Sequence, residues 1–240
     1  MNNIYICNKP VGLTSKDFAD LIKEKNNLRK ICFCGRLDPM ARGEMLLLGN
    51  DMCKKMDNYL KNDKIYQFEI CLGFRTDTDD PLGIIQKHID QFDKEIIYNK
   101  INYYLENMES SIDQKFHKYS SIRINGKPAW LHSMEKHKFE KPKHLVTIKN
   151  FKILTNITRN FNEFKNDIVN SISVIKKKHT FRQNDIIKQW KSINQDYIYS
   201  IKLEFQVTSG FYVRQFVRDL SDAIKFPLMV YDINRIKIIV

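Results

Sequence analysis

Segments with strand periodicity and segments with helix periodicity interleave along this chain without the even spacing that βαβ units require. That irregular order restricts the fold more than any other feature, and it predicts an α+β class. Lys64–Gly73 (KIYQFEICLG) is the clearest strand, apolar with partial alternation. Ile4–Cys7, Glu44–Leu48, Leu145–Leu154, Tyr199–Val207 and Val230–Val240 read as further strands. Helical spacing starts at Ser15, a cap, and runs to about Lys25 with Phe18, Leu21 and Ile22 as its apolar stripe. It returns over Met52–Leu60, Asp93–Glu106 and Tyr212–Ile224. Pro10 and Gly12 make Asn8–Thr14 a turn, and Arg75–Gly83 is a polar turn. No internal repeat or linker breaks the chain, so residues 1–240 read as one domain. The polar, Lys/Asn-rich residues 156–196 read as a basic insertion within it.

Forty Lys and Arg against 28 Asp and Glu leave a formal charge of +12. Such an excess favours an anionic partner, nucleic acid above all, although it also aids solubility. A hydrophobic fraction of 42% is enough for a packed core and excludes disorder of the whole chain. The five cysteines, an odd number in a chain this long, do not suggest a secreted disulfide framework. Cys32 and Cys34 form a C-x-C that no second Cys/His pair answers, so no metal is expected and the thiols read as reduced. No apolar run approaches the ~18–20 residues of a bilayer span. The chain opens on a strand-like IYIC rather than a signal peptide. The expectation is a soluble, intracellular, cytoplasmic monomer.

Gly35–Gly43 (GRLDPMARG) sets Asp38 between a flexible glycine and a rigid proline. Alone, this pattern describes a turn that an aspartate shapes. Loops on a rigid scaffold are also common catalytic positions. Four further segments accompany it in order: NKPVGLTS (Asn8–Ser15), KIY with LGFRTDTDDPLG (within Lys64–Gly83), YSSIRINGKPAW (Tyr119–Trp130) and TSGFYVRQFVRDL (Thr208–Leu220). Together the five segments resemble the TruB family of pseudouridine synthases, with its D-K-P-x-G-x-T-S, G-x-L-D-P-x-A-x-G, K-x-Y…L-G-x-x-T-D-T-D-D-x-x-G, Y-S-A-x-K and Y-I-R-x-x-x-x-D-L patterns.

The resemblance implies a large mixed, mostly antiparallel sheet flanked by helices around a central cleft. It also implies isomerisation of a uridine within RNA, without cofactor or metal. The family's nucleophilic aspartate falls on Asp38, a group suited to covalent catalysis. Its basic partner falls on Arg214, whose guanidinium can fork onto a carboxylate. Its active-site tyrosine falls on Tyr66, which a strand could equally bury as plain core. Tyr212 is expected to line the pocket. Lys9 and Lys64 are expected at the substrate, as neutralisers of RNA backbone or shapers of their motifs. The family substrate is the T-arm uridine of transfer RNA, position 55, and the base must be flipped to reach Asp38.

Departures from the family pattern bear on substrate range. Cys32-Phe33 stands where the family usually has Gly-His, so Phe33 is expected to stack in the vacated space without hydrogen-bonding. Arg36 replaces the usual threonine, suggests a phosphate contact, and is reminiscent of enzymes for ribosomal RNA. Phe116-His117 replaces Pro-Pro, and Ala129-Trp130 replaces Ala-Tyr. The chain ends near the last catalytic-domain strand, so the PUA domain many relatives append is not expected within these residues. In its place, lysines of Lys176–His179 (KKKH) and Trp190 are expected to meet RNA backbone and a base. A solvated loop is the alternative. Two other readings stay open: a synthase for ribosomal or messenger RNA, and a catalytically silent RNA-binding or RNA-folding module.

Overall fold

The computed structural model describes residues 3–117, 119, 120, 122–124, 126–134, 142–176 and 181–239. In chain order the elements are β1 (Ile4–Lys9), α1 (Ser15–Lys25), β2 (Ile31–Phe33), β3 (Ala41–Gly49), a 3-10 turn (Asn50–Lys55), α2 (Asp57–Leu60), β4 (Asp63–Leu72), β5 (Phe74–Thr76) and β6 (Ile85–His88). There follow α3 (Lys94–Asn107), β7 (Ser111–Lys115), β8 (Arg123–Ile124), β9 (Lys127–Pro128), α4 (Ala129–Met134) and β10 (Lys143–Asn160). The last are α5 (Phe161–Ser173), α6 (Gln183–Ser192), β11 (Tyr197–Val207), α7 (Val213–Ile224) and β12 (Leu228–Ile239).

An eight-stranded sheet runs β1-β3-β12-β4-β11-β10-β7, with β2 added beside β3. Among the described residues only β3 and β12 pair in parallel, and the other neighbours in this sheet are antiparallel. This is the mixed, mostly antiparallel sheet that the family resemblance implies.

Side-chain alternation divides the core between the two faces. On β4 and β12, Phe68, Ile70, Leu72, Leu228 and Val230 join the larger core with α1, α3 and α7. Cys71 and Met229, pointing the other way, join a second core with Phe161, Phe164, Ile168, Ile172, Ile186 and Trp190 of α5 and α6. β4 is therefore buried on both faces from Phe68 to Leu72, which is why its sequence stops alternating there.

Residues 156–196, expected as a basic insertion whose lysines and Trp190 meet RNA or as a solvated loop, hold regular structure where they are described, and the Trp190 part of the expectation fails. They finish β10 and then form α5 and α6, each with a buried apolar stripe. Trp190 is fully buried and donates from Nε1 to the Pro81 carbonyl at 3.3 Å, so its indole has no face for a base. Lys177, Lys178 and His179 lie outside the described residues; Lys176 sits 3.9 Å from Asp17.

Two smaller differences are local. Thr14, rather than Ser15, caps α1 by accepting the Asp17 N–H, which leaves the Ser15 hydroxyl for a longer-range contact. The helix expected over Met52–Leu60 divides into the 3-10 turn and α2. The turn starts at Asn50, which has φ 51 and whose side chain accepts the N–H groups of Arg29 and Lys30.

Candidate active site

Asp38 lies in the loop between β2 and β3, and the surrounding chain holds that loop from several sides. The Ser15 hydroxyl donates to the Leu37 carbonyl and accepts the Leu37 N–H, both at 2.8 Å. The Gly12 N–H donates to the Pro39 carbonyl at 2.8 Å. Gly12 has φ +91, and a Cβ there would press to 2.4 Å from the Val174 side chain, so this contact needs glycine. Met40 anchors the far side of the loop in the second core. The first motif thus grips the residues on both sides of Asp38.

Arg235 of β12 supplies a fourth hold that sequence reasoning missed. Only 1% exposed, it donates to the Glu44 carbonyl at 2.6 Å and to the Arg36 and Gly35 carbonyls at 3.3 and 3.4 Å. Its parallel pairing with Gly43 and antiparallel pairing with Tyr66 place it under the loop. Nothing near Arg235 in the sequence signals this role, because the pairing joins distant strands.

Arg214, in the first turn of α7, meets Asp38 as a fork. Nε and Nη2 donate to the two carboxylate oxygens, each at 2.7 Å, while Nη1 donates to the Thr78 carbonyl at 3.0 Å. The guanidinium is buried, with its side chain 7% exposed, whereas Asp38 keeps 36% and faces a cavity. Charge-assisted, two-point pairing of this kind fixes orientation as well as distance. A second carboxylate, Asp80, lies 3.6 Å from Arg214. Burial pushes Asp80 up to about 6, against the pull of Arg214 and with the repulsion of Asp38. Burial alone would lower the pKa of Arg214; the charges of Asp38 and Asp80 outweigh it and raise it further.

The cavity encloses about 730 Å³. Its lining includes Asp38, Arg214, Tyr66, Tyr212, Phe33, Arg36 and Lys64. Seven of the eight site residues expected from sequence therefore converge here. Tyr66 is nearly buried on β4, between Phe205 and Arg235. Tyr212 precedes α7, tied to Gln114 through both backbone groups, and burial followed by the nearby Asp38 charge raises its hydroxyl pKa. Phe33 is half-buried, and the Arg36 guanidinium sits 5.1 Å from its ring centre, within cation–π range.

Lys9 and Lys64 are placed differently from exposed backbone neutralisers. Lys9, 1% exposed, donates to the Pro10 and Leu13 carbonyls at 2.8 Å each, and does not line the cavity. It shapes the Asn8–Ser15 turn. Lys64 reaches the cavity wall but donates to the Leu60 and Asn62 carbonyls. Burial pulls both ammonium groups down to about 8; Asp38 partly restores Lys9, and Arg235 lowers Lys64 further.

The loop from Thr76 to Gly83, read from sequence as a polar turn, is a buried hub of carboxylates. Asp77 takes both Nη groups of Arg182 at 2.7 and 3.2 Å, and Asp79 accepts from Arg218 at 2.6 Å. Asp80 accepts from Thr78 and from the Leu82 N–H. For Asp77, burial would raise the pKa, but the bonds to Arg182 win and lower it. The T-D-T-D-D spelling was the available signal; its partners come from Arg182, just before α6, and from α7, and are invisible locally. Among the described residues, no group of His, Cys, Asp and Glu has a metal-holding arrangement, and no helix is long and apolar enough to cross a membrane.

The sheet order and the cleft beside it define the pseudouridine synthase fold. Solved chains with this architecture include one in a structure described as an H/ACA RNP bound to a substrate RNA containing 2′-deoxyuridine, at TM-score 0.56 and 14% identity, covering 98% of this chain and 47% of that one. Another comes from a Cbf5-Nop10-Gar1 complex, at TM-score 0.56 and 14% identity, covering 98% and 48%. Sequence is more specific: residues 23–173 match the family described as TruB family pseudouridylate synthase (N terminal domain), and the chain belongs to that family. It is 33% identical over 170 residues to the tRNA pseudouridine synthase B of Mycoplasma capricolum subsp. capricolum, covering 68% of this chain and 56% of that relative. With the enzyme of the same name from Endomicrobium trichonymphae it shares 26% over 238 residues, 99% and 85% of the two chains. The match thus spans little more than half of the Mycoplasma relative.

Proposed function

We propose that this protein converts a uridine within RNA to pseudouridine, with Asp38 as the catalytic carboxylate and the T-arm uridine 55 of transfer RNA as the target. The observation that carries this reading is the fork of Arg214 on Asp38, at 2.7 Å through both oxygens, on the wall of a cavity also lined by Tyr66 and Tyr212. The relatives named tRNA pseudouridine synthase B support the choice of RNA. In the isomerisation the N1–C1′ bond breaks and a C5–C1′ bond forms; the C5 proton is lost and N1 gains one. Asp38, aimed and partly exposed, serves as nucleophile at the sugar or base, or assists elimination at the sugar. Arg214 holds its orientation. The Tyr66 ring lies against the flipped uracil, with its hydroxyl available to the sugar or as a base. Phe33 occupies the space the base leaves, and flipping costs a few kcal/mol.

Incubating pure protein with an unmodified transfer RNA transcript and mapping pseudouridine tests the reading. One pseudouridine at position 55, absent with Asp38→Asn, is expected. A modified ribosomal or messenger RNA site instead would favour the alternative substrate that the exposed Arg36 suggests. RNA binding without turnover in either form would indicate a silent binding module.

A further inference from the structure

We propose that His117 is a positioning residue that suspends one wall of the cavity from the carboxylate of Asp79. The inference deepens the reading above and rests on it for its kinetic test. His117 and Asp79 are both fully buried at their side chains, with Nε2 of the ring 2.8 Å from Asp79 Oδ2. The other ring nitrogen, Nδ1, accepts the Tyr119 N–H at 3.2 Å. A proton on Nδ1 would oppose that N–H, so the ring's proton belongs on Nε2 and is donated to Asp79. The imidazole thus bridges two segments: the backbone that follows it and the carboxylate loop opposite.

Each end of the bridge leads to the site. Phe116, Tyr119, Ser120 and Ile122, the residues around His117, line the cavity. The Ser120 N–H donates to the His117 carbonyl at 2.9 Å, which folds the wall around the ring. At the other end, Asp79 is held firmly: Oδ2 also accepts from Arg218 Nε at 2.6 Å, and its carbonyl accepts the Val230 N–H at 2.9 Å. Arg218 lies one helical turn beyond Arg214 on α7. The helix that aims Asp38 therefore also fixes the hook on which this wall hangs. A second tie runs parallel to the first, where the Tyr119 hydroxyl donates to Asp77 at 3.1 Å and Asp77 is gripped by Arg182. Side-chain ties do here what Phe116-His117, without the fixed φ of prolines, cannot do through the backbone.

The test compares wild type, His117→Ala and His117→Gln, whose amide N–H can still donate to Asp79. Steady-state kinetics on unmodified transfer RNA, melting temperature and amide hydrogen exchange at Tyr119 are measured together. His117→Ala is expected to raise KM at least about tenfold and leave kcat within about threefold, because Asp38 and Arg214 stay paired. Exchange at the Tyr119 amide should accelerate at least about 100-fold, and His117→Gln should recover KM to within about threefold. If His117→Ala does not fold, His117→Asn, too short to reach Asp79, replaces it with the same expectation for KM. An unchanged KM would overturn the proposal, as would a Gln variant as impaired as Ala at wild-type melting temperature. A ring that merely fills the core would lower melting temperature and leave KM alone. If wild type modifies no RNA, the reaction is refuted and the exchange data decide the tether: unaltered Tyr119 protection in His117→Ala sinks it.

Discussion

Two acidic loops meet at Arg214, and they put the same functional group to opposite uses. Asp38, with 36% of its side chain exposed, offers its carboxylate to a cavity. In the Thr76–Gly83 loop, Asp79 and Asp80 keep 0% and 6%, and both are closed in by arginines. Each carboxylate has a cationic partner, so pairing does not separate the loops. Desolvation and access do: a buried, paired carboxylate organises its neighbours, whereas a paired carboxylate with one open side can also meet a substrate.

Substitutions can break this contrast, and the largest effect belongs to the open side. Asp38→Asn should reduce pseudouridine formation by at least about 10³-fold while RNA affinity and melting temperature stay near wild type. A variant that instead unfolds would place Asp38 with the structural acids. Asp79→Ala should do the reverse and cost about 3–5 kcal/mol of stability in denaturant unfolding, because Arg218 and His117 lose their common partner in a buried setting. A loss below about 1 kcal/mol would show that the hub is dispensable. At the rim of the cavity, Phe33→Ala should weaken productive RNA binding by about 1–3 kcal/mol, read as a raised KM; unchanged turnover at low RNA concentration would remove its stacking role.

The smallest effect is a pH dependence that sharpens the comparison. Asp80 sits near 6, above the ordinary carboxyl value of 3.8. The folded protein thus holds this proton more tightly than the unfolded chain. The stability it contributes is fully present below about pH 4 and lost as pH rises through 6. Asp77, lowered by Arg182, works in the opposite sense and loses its contribution as pH falls. Relative to Asp80→Asn, the wild type should therefore gain melting temperature as pH falls from 6 to 4. A difference between the two proteins that does not vary with pH would contradict the burial of this charge.

The site was legible where its chemistry is written locally. Gly35, Asp38 and Pro39 announce a constrained acidic loop, and the resemblance of Tyr-Val-Arg to the family pattern singles out Arg214. Lys9 and Lys64 were legible as shapers of their motifs or neutralisers of RNA backbone, and only burial beside backbone carbonyls, which leaves no trace in a lysine's neighbours, separates the two uses. Trp190 misled for a related reason. A tryptophan among lysines and asparagines reads as an RNA contact until α5 and α6 pack their stripes against β4 and β12 and enclose it with Phe74 and Phe164. The composition of a segment describes its solvent side as well as its buried side, and it does not say which residue faces which.

What the sequence determined by itself was the fold class, most of the strands and helices and, through the family resemblance of two short motifs, the pairing of Asp38 with Arg214 that the structure forms. These follow from periodicity, turn chemistry and short motifs, all of which act over a few residues. Only the tertiary structure decided which charges are buried, which arginine answers which carboxylate, and that Arg235 reaches the site at all. Arg214 and Asp38 are 176 residues apart in the chain and Arg235 and Gly35 are 200 apart. Contacts of that range come from strand register and helix packing, and both are properties of the assembled sheet rather than of any segment within it.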